Sequence, residues 1–531
     1  MDKKSYLRVG HASDLKGGDR WLYRLFEVFP GALSWGTILG MVFFSWVYPI
    51  AVAIFIIAFD VYWLVKTAYL SLHLRASWRR MIHYMEIDWE ERLVHLKWNH
   101  VWQLVILPFY NEPYEVVTEA CQSLKDSKWP KERMIVVLAT EERAGQEAQN
   151  IAERVRQSYA NVFGHFLVTK HSQNMKGELM GKGANIAWAA KETKKEIIDA
   201  FRIPYENIVV SSFDIDTQAY PQYFLCLTYH FLTAEHPYQS SYQPIPLYNN
   251  NIWDAPVLSR VVAVSGTYWQ MMQQVRPERL TTFSSHSMSF KALVKVGFWQ
   301  ANVVSEDSRI FWNALLAFNG DYYVVPLFYP VSMDANVAPT FFKTVRNIYR
   351  QQRRWTWGVE NIPYILFGFF KNRAISFQKR IYYLATQLEG FWSLATNPIL
   401  IFALGWLPLF LGGDEFNVTL ISYNLPRITR TLMTIAMLGL IGSAFMSVAL
   451  FPPRPKNRHR FSWAFMMLQW MLVPFTVTVF GAIPGLDAQA RLMFGKYMGF
   501  WVTPKEGKRA GNLFQERVSV NSQAEKKIQK L

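Results

Sequence analysis

The sequence between positions 208 and 216 reads Ile208-Val209-Val210-Ser211-Ser212-Phe213-Asp214-Ile215-Asp216. The apolar run predicts a buried strand, and strand side chains alternate between faces, so Asp214 and Asp216 project the same way past its end. Two such carboxylates suit a hard cation such as Mg²⁺, which shares its oxygen ligands with substrate phosphates. A pair of solvated turn carboxylates is the alternative interpretation of an isolated D-x-D pattern.

Short apolar strands alternate with helical segments before this stretch. Strands are predicted at 102–107, 134–138 and 166–169, and helices follow the first two. This alternation indicates an α/β domain with a mostly parallel sheet covered on both faces. Ligands of such sheets lie at the carboxyl ends of the strands, where the segments 108–112 and 214–216 are found.

Three further segments carry candidate chemistry, each with a purely structural alternative. The glycine-rich start at 181–185 can receive an anion on free helix N–H groups, or it is an ordinary loop. Segment 305–307 (Ser-Glu-Asp) either caps the helix 310–316, with Ser305 as N-cap, or supplies a general base. In 351–357, arginines can bind diphosphate and tryptophans a sugar ring, and a helix resting on a membrane interface is compatible with both.

Long apolar runs predict a membrane protein. No charged residue occurs from Val28 to Phe59, whereas about 20 residues cross a bilayer, so two helices at roughly 31–48 and 50–72 are expected around Pro49. Three more apolar runs occupy about 390–413, 431–451 and 461–486. Arginine and lysine gather beside these runs, at 75–80 and 454–460, which predicts the cytoplasmic side.

Composition excludes several function classes. The 531 residues carry a formal net charge of +16, but no nucleic-acid-binding motif accompanies it, so nucleic acid is not an expected partner. Only two cysteines occur, which excludes a disulfide framework and a Cys/His metal site. Residues 1–30 lack the layout of a cleavable signal peptide. The aromatic stretch 222–282 predicts few regular elements, and His286 after it is equally a packed loop histidine or a sugar contact.

These motifs together resemble the membrane-embedded family-2 glycosyltransferases, which include bacterial cellulose synthase subunits, hyaluronan and chitin synthases, and plant mannan-synthase-like enzymes. The resemblance covers about residues 100–360 well and the helices more loosely. Its motifs are Pro108-Phe109-Tyr110-Asn111-Glu112, Asp214-x-Asp216, Ser305-Glu306-Asp307, Gln351-x-x-Arg354-Trp355 and Phe500-x-Val502-Thr503-x-Lys505.

The resemblance implies a GT-A-type nucleotide-sugar domain inserted between transmembrane helices. The implied organisation is a cytoplasmic segment 1–30, two transmembrane helices in 31–73, the GT-A domain in 74–361, an interfacial helix in 362–380, about three transmembrane or re-entrant helices in 381–486, and a gating-like loop with a tail in 487–531. The enzyme would lie in a bacterial inner membrane with its catalytic domain in the cytoplasm.

The resemblance also implies roles for individual residues. Asp216 and Asp214 would bind Mg²⁺ or Mn²⁺, Asp307 would be the general base beside Glu306, and Trp355 would stack on the acceptor sugar. Thr503 and Lys505 would lie on a loop that closes over the nucleotide. The implied donor-binding residues are Pro108, Tyr110, Glu112, Glu141, Lys182, Asn185, Asp214, Arg354, Thr503 and Lys505, and the implied acceptor-binding residues are Gln351, Trp355 and Ser305.

Two departures from the family pattern stand out. The family's second strand usually ends in consecutive aspartates, where this sequence has Thr140-Glu141-Glu142, so Glu141 is the candidate substitute and the nucleotide base is left open. Five membrane crossings would place Phe500–Lys505 outside the cell, so the 461–486 run is expected to be re-entrant or interfacial.

The functional prediction is an inverting transfer from a nucleotide sugar, with UDP-sugar preferred, to a growing β-linked polysaccharide. Transfer of a single sugar to a lipid-phosphate acceptor is the alternative within the enzyme class, and a catalytically silent membrane scaffold is the alternative outside it.

Overall fold

The computed structural model describes residues 5–453, 455 and 461–502. Its sheet strands are β1 Trp102–Pro108, β2 Met134–Glu141, β3 His165–His171, β4 Ile208–Ser212, β5 Gln218–Ala219, β6 Ser240–Leu247, β7 Ser287–Ser289 and β8 Tyr323–Ser332. The helices up to the end of the sheet domain are α1 Gly17–Val47, α2 Pro49–Glu86, α3 Trp89–Leu93, α4 Tyr114–Asp126, α5 Gly145–Tyr159, α6 Lys182–Thr193, α7 Tyr223–Thr233, α8 Val257–Gln274, α9 Phe290–Val296, α10 Glu306–Ala317 and α11 Phe341–Thr356. After them come α12 Asn361–Lys371, α13 Phe377–Phe402, α14 Leu407–Leu411, α15 Gly413–Asn417, α16 Leu420–Ala449, α17 Ser462–Leu468, α18 Val473–Val477 and α19 Ile483–Met493.

The eight strands form one sheet in the order β3-β2-β1-β4-β7-β6-β8-β5. The first four are parallel, as predicted, whereas β7 runs antiparallel to both β4 and β6. The apolar run of β1 faces two cores, because Leu104 and Ile106 pack with α6 and α10 while Val105 and Leu107 pack with α4 and α5. The predicted α/β domain, placed between long apolar helices, is confirmed.

The first two apolar helices are longer than predicted. Helix α1 begins at Gly17 and α2 ends at Glu86, so both extend well beyond the uncharged stretch. The predicted bounds came from the thickness of the bilayer, which sets the length of the apolar part of a helix. The helix itself can continue beyond the bilayer as a polar segment. Pro49 does separate them, because it is the first residue of α2, where its missing N–H costs no hydrogen bond.

The stretch 222–282 is more regular than predicted, since it contains α7, β6 and α8. The sequence did not predict β6 because it contains Pro244 and Pro246, and proline is rarely tolerated inside a sheet. The structure accommodates them with an irregular register between Gln243 and Ile245, where β6 pairs with β8.

In the part of the chain that the structure describes, four helices are long and apolar enough to cross a membrane: Gly17–Val47, Pro49–Glu86, Leu420–Ala449 and the interrupted helix Ala464–Met493. The pair Phe377–Phe402 and Leu404–Leu411, bent by 47°, raises the number to five if it is one span. The segment 362–380 was predicted as one interfacial helix, but it contains α12 and the start of α13 with a break between them. Side chains of α12 such as Ile362 and Tyr364 are buried within the protein.

The N-terminal segment docks on the α/β domain. Asn313 Nδ2 and Tyr364 Oη donate to the Leu7 carbonyl at 3.1 and 3.2 Å, and Arg309 Nη1 donates to the Val9 carbonyl at 3.2 Å. Leu7 and Val9 are buried. The segment 7–9 therefore packs against the helix that begins with Glu306 and Asp307.

Candidate functional site

One cavity of about 810 Å³ collects the predicted site residues that the structure describes. Its walls come from the carboxyl ends of β1, β2 and β4, from the first turns of α6 and α10, and from α11. The predicted residues that line it are Pro108, Tyr110, Glu112, Glu141, Lys182, Asn185, Asp214, Asp216, Ser305, Glu306, Asp307, Gln351, Arg354 and Trp355. Thr503 and Lys505 lie outside the described residues, although Phe500 and Val502 before them line the same cavity.

Lys182 is the electrostatic centre of the cavity. Its Nζ donates to Asp214 Oδ1 at 2.6 Å and to Asp307 Oδ2 at 2.7 Å, and the lysine is only 8% exposed. Burial alone would lower the pKa of Lys182, but the two carboxylates and Glu306 raise it well above its ordinary value. Lys182 is therefore charged and joins two predicted site carboxylates that lie on different elements.

The start of α6 is built to bring this lysine in. Gly183 lies against α10, where an added Cβ would come within 3.0 Å of the Glu306 Cβ. Asn185 Nδ2 donates to the Ala139 carbonyl of β2 at 2.7 Å, so its amide nitrogen anchors the helix to the sheet. The predicted anion-binding turn thus presents a lysine side chain, already paired with carboxylates, to the cavity.

Asp214 and Asp216 differ in environment. Ser284 Oγ donates to Asp214 Oδ2 at 2.5 Å, and the Asp214 side chain is 30% exposed. Asp216 is buried, and the backbone N–H of Asp334 donates to its Oδ2 at 3.0 Å. Asn250 Nδ2 donates to the Asp216 carbonyl at 3.0 Å and thereby fixes the loop that follows β4.

The donor set fits a cation that brings ligands with its substrate. Within residues 5–453, 455 and 461–502, no group of three histidine, cysteine, aspartate or glutamate side chains could hold a metal ion. Asp214 and Asp216 supply carboxylate oxygens from one loop, and Mg²⁺ is typically held by one or two carboxylates together with substrate phosphates. Asp214 and Asp216 are therefore the two carboxylates of this loop that could hold Mg²⁺ or Mn²⁺.

Ser305 occupies the N-cap position of α10, but it does not cap the helix. Its Oγ donates to Glu360 Oε1 at 2.7 Å, and the N–H groups of Val304 and Ser305 donate to the same oxygen at 3.2 and 3.0 Å. Trp357 Nε1 donates to Glu360 Oε2 at 2.8 Å. The buried carboxylate of Glu360 therefore fixes the turn that presents Glu306 and Asp307.

His286 is packed and is not among the residues that line the cavity. It is fully buried, and its Nδ1 lies 2.9 Å from the Phe283 carbonyl, which can only accept, so Nδ1 carries the proton. That nitrogen is 3.8 Å from Asp307 Oδ1. Burial lowers the pKa of His286, so the ring is neutral beside Asp307.

The second strand end and α11 bring arginines and aromatic rings to the walls. Arg143 Nε donates to Glu141 Oε2 at 2.5 Å, and its guanidinium lies 4.6 Å from the centre of the Tyr110 ring. On α11, the Arg354 guanidinium lies 5.0 Å from the centre of the Phe500 ring. Sequence reasoning missed Arg143 and Glu360, because their partners are defined by turn geometry that spacing does not reveal.

Glu306 is a carboxyl of the cavity with a strongly raised pKa. It is 2% exposed, and its Oε2 has no hydrogen-bond partner in the part of the chain that the structure describes. Burial, together with the charge of Asp307, raises the pKa of Glu306 from 4.5 to about 8. At neutral pH, Glu306 is therefore expected to be largely protonated, which leaves Asp307 as the candidate base.

Replacing Glu306 with glutamine is expected to remove a pH dependence of stability. The folded chain holds this proton up to about pH 8, whereas the unfolded chain loses it near pH 4.5. Across that window the folded state binds more protons, so the native protein loses stability as pH rises, by on the order of a few kcal/mol. The melting temperature in detergent should therefore fall from pH 5 to 8 more steeply for the native chain than for Glu306→Gln. Parallel melting curves for the two proteins would contradict this assignment.

Comparisons with known proteins identify partial likenesses in fold. No protein-family model and no curated protein sequence matches this chain. Mannosyltransferase PcManGT from Pyrobaculum calidifontis, solved with GDP-Man and Mn²⁺, has a TM-score of 0.37 and 12% identity over 80% of this chain and 99% of its own. GalNAc-T7, solved with UDP, GalNAc and Mn²⁺, has a TM-score of 0.35 and 10% identity over 55% of this chain and 58% of its own. S. aureus TarS 1-349, solved with UDP-GlcNAc, has a TM-score of 0.34 and 12% identity over 78% of this chain and 98% of its own.

Proposed function

We propose that this chain is an inverting family-2 glycosyltransferase, dependent on Mg²⁺ or Mn²⁺, that transfers a sugar from a nucleotide sugar to an acceptor hydroxyl. The observation that carries the proposal is that Asp307, Lys182 and Asp214 are joined by direct contacts in one cavity. An inverting transfer needs one base within reach of the attacking hydroxyl and positive charge beside the departing diphosphate. This cavity offers a carboxylate, a lysine and an arginine for these tasks.

Asp307 is the proposed base. It takes the proton of the acceptor hydroxyl while that oxygen bonds to the anomeric carbon of the donor, and the bond from this carbon to the diphosphate breaks. Arg354 and Lys182 hold the diphosphate oxygens through charge-assisted hydrogen bonds. Because the diphosphate competes for Lys182, donor binding would loosen the ion pair that restrains Asp307. When bound, the divalent cation held by Asp214 and Asp216 would neutralise charge on the leaving diphosphate.

The acceptor is proposed to approach from the apolar helices. The cavity continues from the carboxylates to α13, where Ser393 and Asn397 line it, and to Thr476. A growing β-linked polysaccharide, with Trp355 and Gln351 beside its terminal sugar, is the predicted acceptor. A lipid-linked acceptor is the second candidate, and it is favoured by charged side chains on the membrane side of the cavity that are described in the next section.

We infer that the helical stretch 464–493 starts and ends on the side of the α/β domain. Near its start, Arg260 Nε of α8 donates to Gln469 Oε1 at 3.0 Å. Near its end, the Leu492 carbonyl accepts from Arg24 Nη1 of α1 at 2.9 Å. The opposite ends of α1 and α2, around Met41 and Val52, cluster with residues 400–425 and with no residue of 464–493. If this stretch is re-entrant and the bent pair of α13 and α14 is one span, four crossings remain: α1, α2, the bent pair and α16.

Four crossings place the segment that ends at Val502 on the same side as the α/β domain. Phe500 lies against Gly181 in the structure, in agreement with that placement. The arginines at the domain end of α2, Arg75, Arg79 and Arg80, favour the cytoplasm for this side by the positive-inside rule. A bacterial inner membrane with a cytoplasmic catalytic domain is the proposed location.

A catalytically silent scaffold is the rival from another class. A scaffold would have no need to keep a buried lysine between Asp214 and Asp307. If one of these partners were replaced, a buried charge would be left unpaired at a cost in stability, and the lysine would then be replaced as well. The intact arrangement therefore favours the enzyme.

The test is incorporation of label from a panel of UDP- and GDP-sugars by membranes that contain the protein. Each donor is run with Mn²⁺, with Mg²⁺ and with a chelator. The expected result is product from one donor, with UDP-sugar preferred, and loss of at least nine-tenths of it with the chelator. Product of high molecular mass supports the polysaccharide, and label confined to solvent-extractable lipid supports the lipid-linked acceptor. No incorporation and no donor hydrolysis with any donor would overturn the proposal.

A further inference from the structure

The membrane side of the cavity contains a second charged cluster, which we call the cation zone: Lys66, Arg276 and Arg279. All three line the same cavity as the carboxylates. They come from α2 and from the segment after α8. Glu389 of α13 pairs with two of them, because it accepts a hydrogen bond from Lys66 and lies 3.7 Å from Arg279.

The cation zone and the proposed catalytic carboxylates have different charged neighbours. The main charged groups that act on Arg276 are Arg279, Glu278 and Glu389, along with Tyr69. Those that act on Lys182 are Asp214, Asp307 and Glu306. The two sets share no member, and neither Lys182 nor Arg354, the residues proposed to hold the donor diphosphate, belongs to the cation zone.

No described residue of the chain provides Arg276 with a counter-ion in contact. It is 8% exposed, and among the described residues its side chain has neither an ion pair nor a hydrogen bond; its Nε is buried. Of the two acids that act on it, Glu278 is exposed and Glu389 already pairs with Lys66. Leaving a charge buried without a partner is costly, so a guanidinium that faces a cavity in this state indicates an anionic ligand.

The cation zone lies at the level expected for lipid headgroups. Lys66 is about 25 Å along α2 from Pro49, at roughly 1.5 Å per residue, which is close to the far boundary of a hydrocarbon core of about 30 Å. The Lys66 ammonium lies 4.7 Å from the centre of the Trp63 ring, and Trp269, another cavity residue, is 49% exposed. Tryptophan and lysine at one level are typical of a membrane interface.

Beyond the cation zone the cavity wall is mostly apolar. Leu394, Ile401 and Phe402 follow Glu389 along α13, and Phe480 faces the same cavity, while Ser393, Asn397 and Thr476 are polar residues of the same wall. The carboxylates, the cations and this mostly apolar wall follow one another from the α/β domain toward the membrane. This order matches an amphiphile with a reactive polar end, an anionic group and a hydrocarbon chain. A neutral polysaccharide would leave the charge of Arg276 unmatched.

We propose that the cation zone binds the phosphate or diphosphate of an acceptor that is esterified to a long-chain alcohol, with Arg276 as its principal contact. This rests on the proposed function, because the sugar end of such an acceptor would reach Asp307. The guanidiniums of Arg276 and Arg279 match phosphate oxygens in geometry and charge. Leu394 and Phe402 contact the hydrocarbon chain.

The test measures binding of radiolabelled dodecyl phosphate to the full chain in maltoside micelles that contain no phospholipid. Arg276→Gln is expected to weaken binding at least tenfold, while Arg276→Lys, which keeps the charge, weakens it less. Arg79→Gln is the matched control, because Arg79 is an exposed cation of α2 that does not line the cavity, and its affinity should stay within twofold. Unchanged nucleotide diphosphate binding shows that Arg276→Gln is folded.

Competition identifies the ligand class. Unlabelled dodecyl phosphate should displace the label, while dodecanol and inorganic phosphate at the same concentration should not. Equal displacement by dodecanol would overturn the role of the cations, and equal displacement by inorganic phosphate would overturn the amphiphile. Binding that Arg276→Gln leaves unchanged would overturn the site itself.

The same variants separate this proposal from the proposed function. Dodecyl phosphate binding needs no catalysis, so Arg276-dependent binding by a chain that is inactive with every donor would refute the proposed function and keep the site. If the Arg276→Gln variant still transfers sugar to a polysaccharide at the native rate, the proposed function holds and the lipid phosphate site is refuted. If both hold, Arg276→Gln should raise the KM for a lipid phosphate acceptor at least tenfold and leave hydrolysis of the donor within twofold.

Discussion

Replacing Asp307 with asparagine is expected to slow sugar transfer by about a thousandfold, within the 10²–10⁴-fold that a positioned general base supplies. The amide has the size of the carboxylate but cannot take the proton of the acceptor hydroxyl. Lys182 keeps its contact with Asp214 at 2.6 Å, so the cavity should persist. Initial rates at saturating donor, together with nucleotide affinity by calorimetry, separate the lost chemistry from donor binding, which should change less than threefold.

Asp199→Asn is the matched control for this variant. Asp199 is an exposed aspartate that pairs with Lys194, away from the cavity, so its amide should leave the rate unchanged. A loss of less than tenfold in Asp307→Asn would remove this residue from the role of base. A loss of nucleotide affinity equal to the loss of rate would assign it to donor binding instead.

Replacing Lys182 with methionine is expected to lower the transfer rate about a hundredfold. Lys182 is the shared cation of Asp214 and Asp307, and it is proposed to hold oxygens of the departing diphosphate. Methionine has a similar length but no charge, so the variant leaves the two carboxylates without their common cation and removes positive charge from the leaving group.

The measurement is kcat/KM for transfer, with kcat at saturating donor measured beside it. Lys191→Met, on the exposed face of the same helix, should keep the native values. Lys182→Arg should retain more activity than Lys182→Met, because it restores the charge. A loss of less than tenfold in Lys182→Met would mean that this lysine does not act on the leaving diphosphate.

The sheet and the convergence of the predicted residues on one cavity could be predicted because they depend on local patterns. Continuous apolar runs such as 134–138 indicate strands that are buried on both faces of the sheet. Ligands lie at the carboxyl ends of parallel strands, and this rule predicted that 108–112 and 214–216 lie close together. The extended helices and the β6 strand were not predictable. Their boundaries depend on packing partners, and the prolines of β6 contradict the propensity of a strand that tertiary contacts nevertheless hold.

Contacts between distant segments limited the prediction of the site. Lys182 was assigned to donor binding, but its pairing with Asp214 and Asp307 joins three segments that the sequence separates by up to 125 positions. Glu360 stood in a helix without a recognisable motif, although it accepts three hydrogen bonds from Val304 and Ser305. Arg276 and Lys66 are individually ordinary, and only the fold brings them to the same wall.

The docking of the first residues on α10 affects the order in which the chain can mature. The Leu7 carbonyl accepts from Asn313, which is synthesised 306 positions later. At roughly 5–20 residues per second, that interval is about 15–60 s, during which α1 and α2 emerge first. The helix that begins with Glu306 and Asp307 thus gains its contacts with the segment 7–9 late, when the earliest part of the nascent chain meets a much later one. A bulky fusion placed directly before Leu7 is expected to interfere with this step.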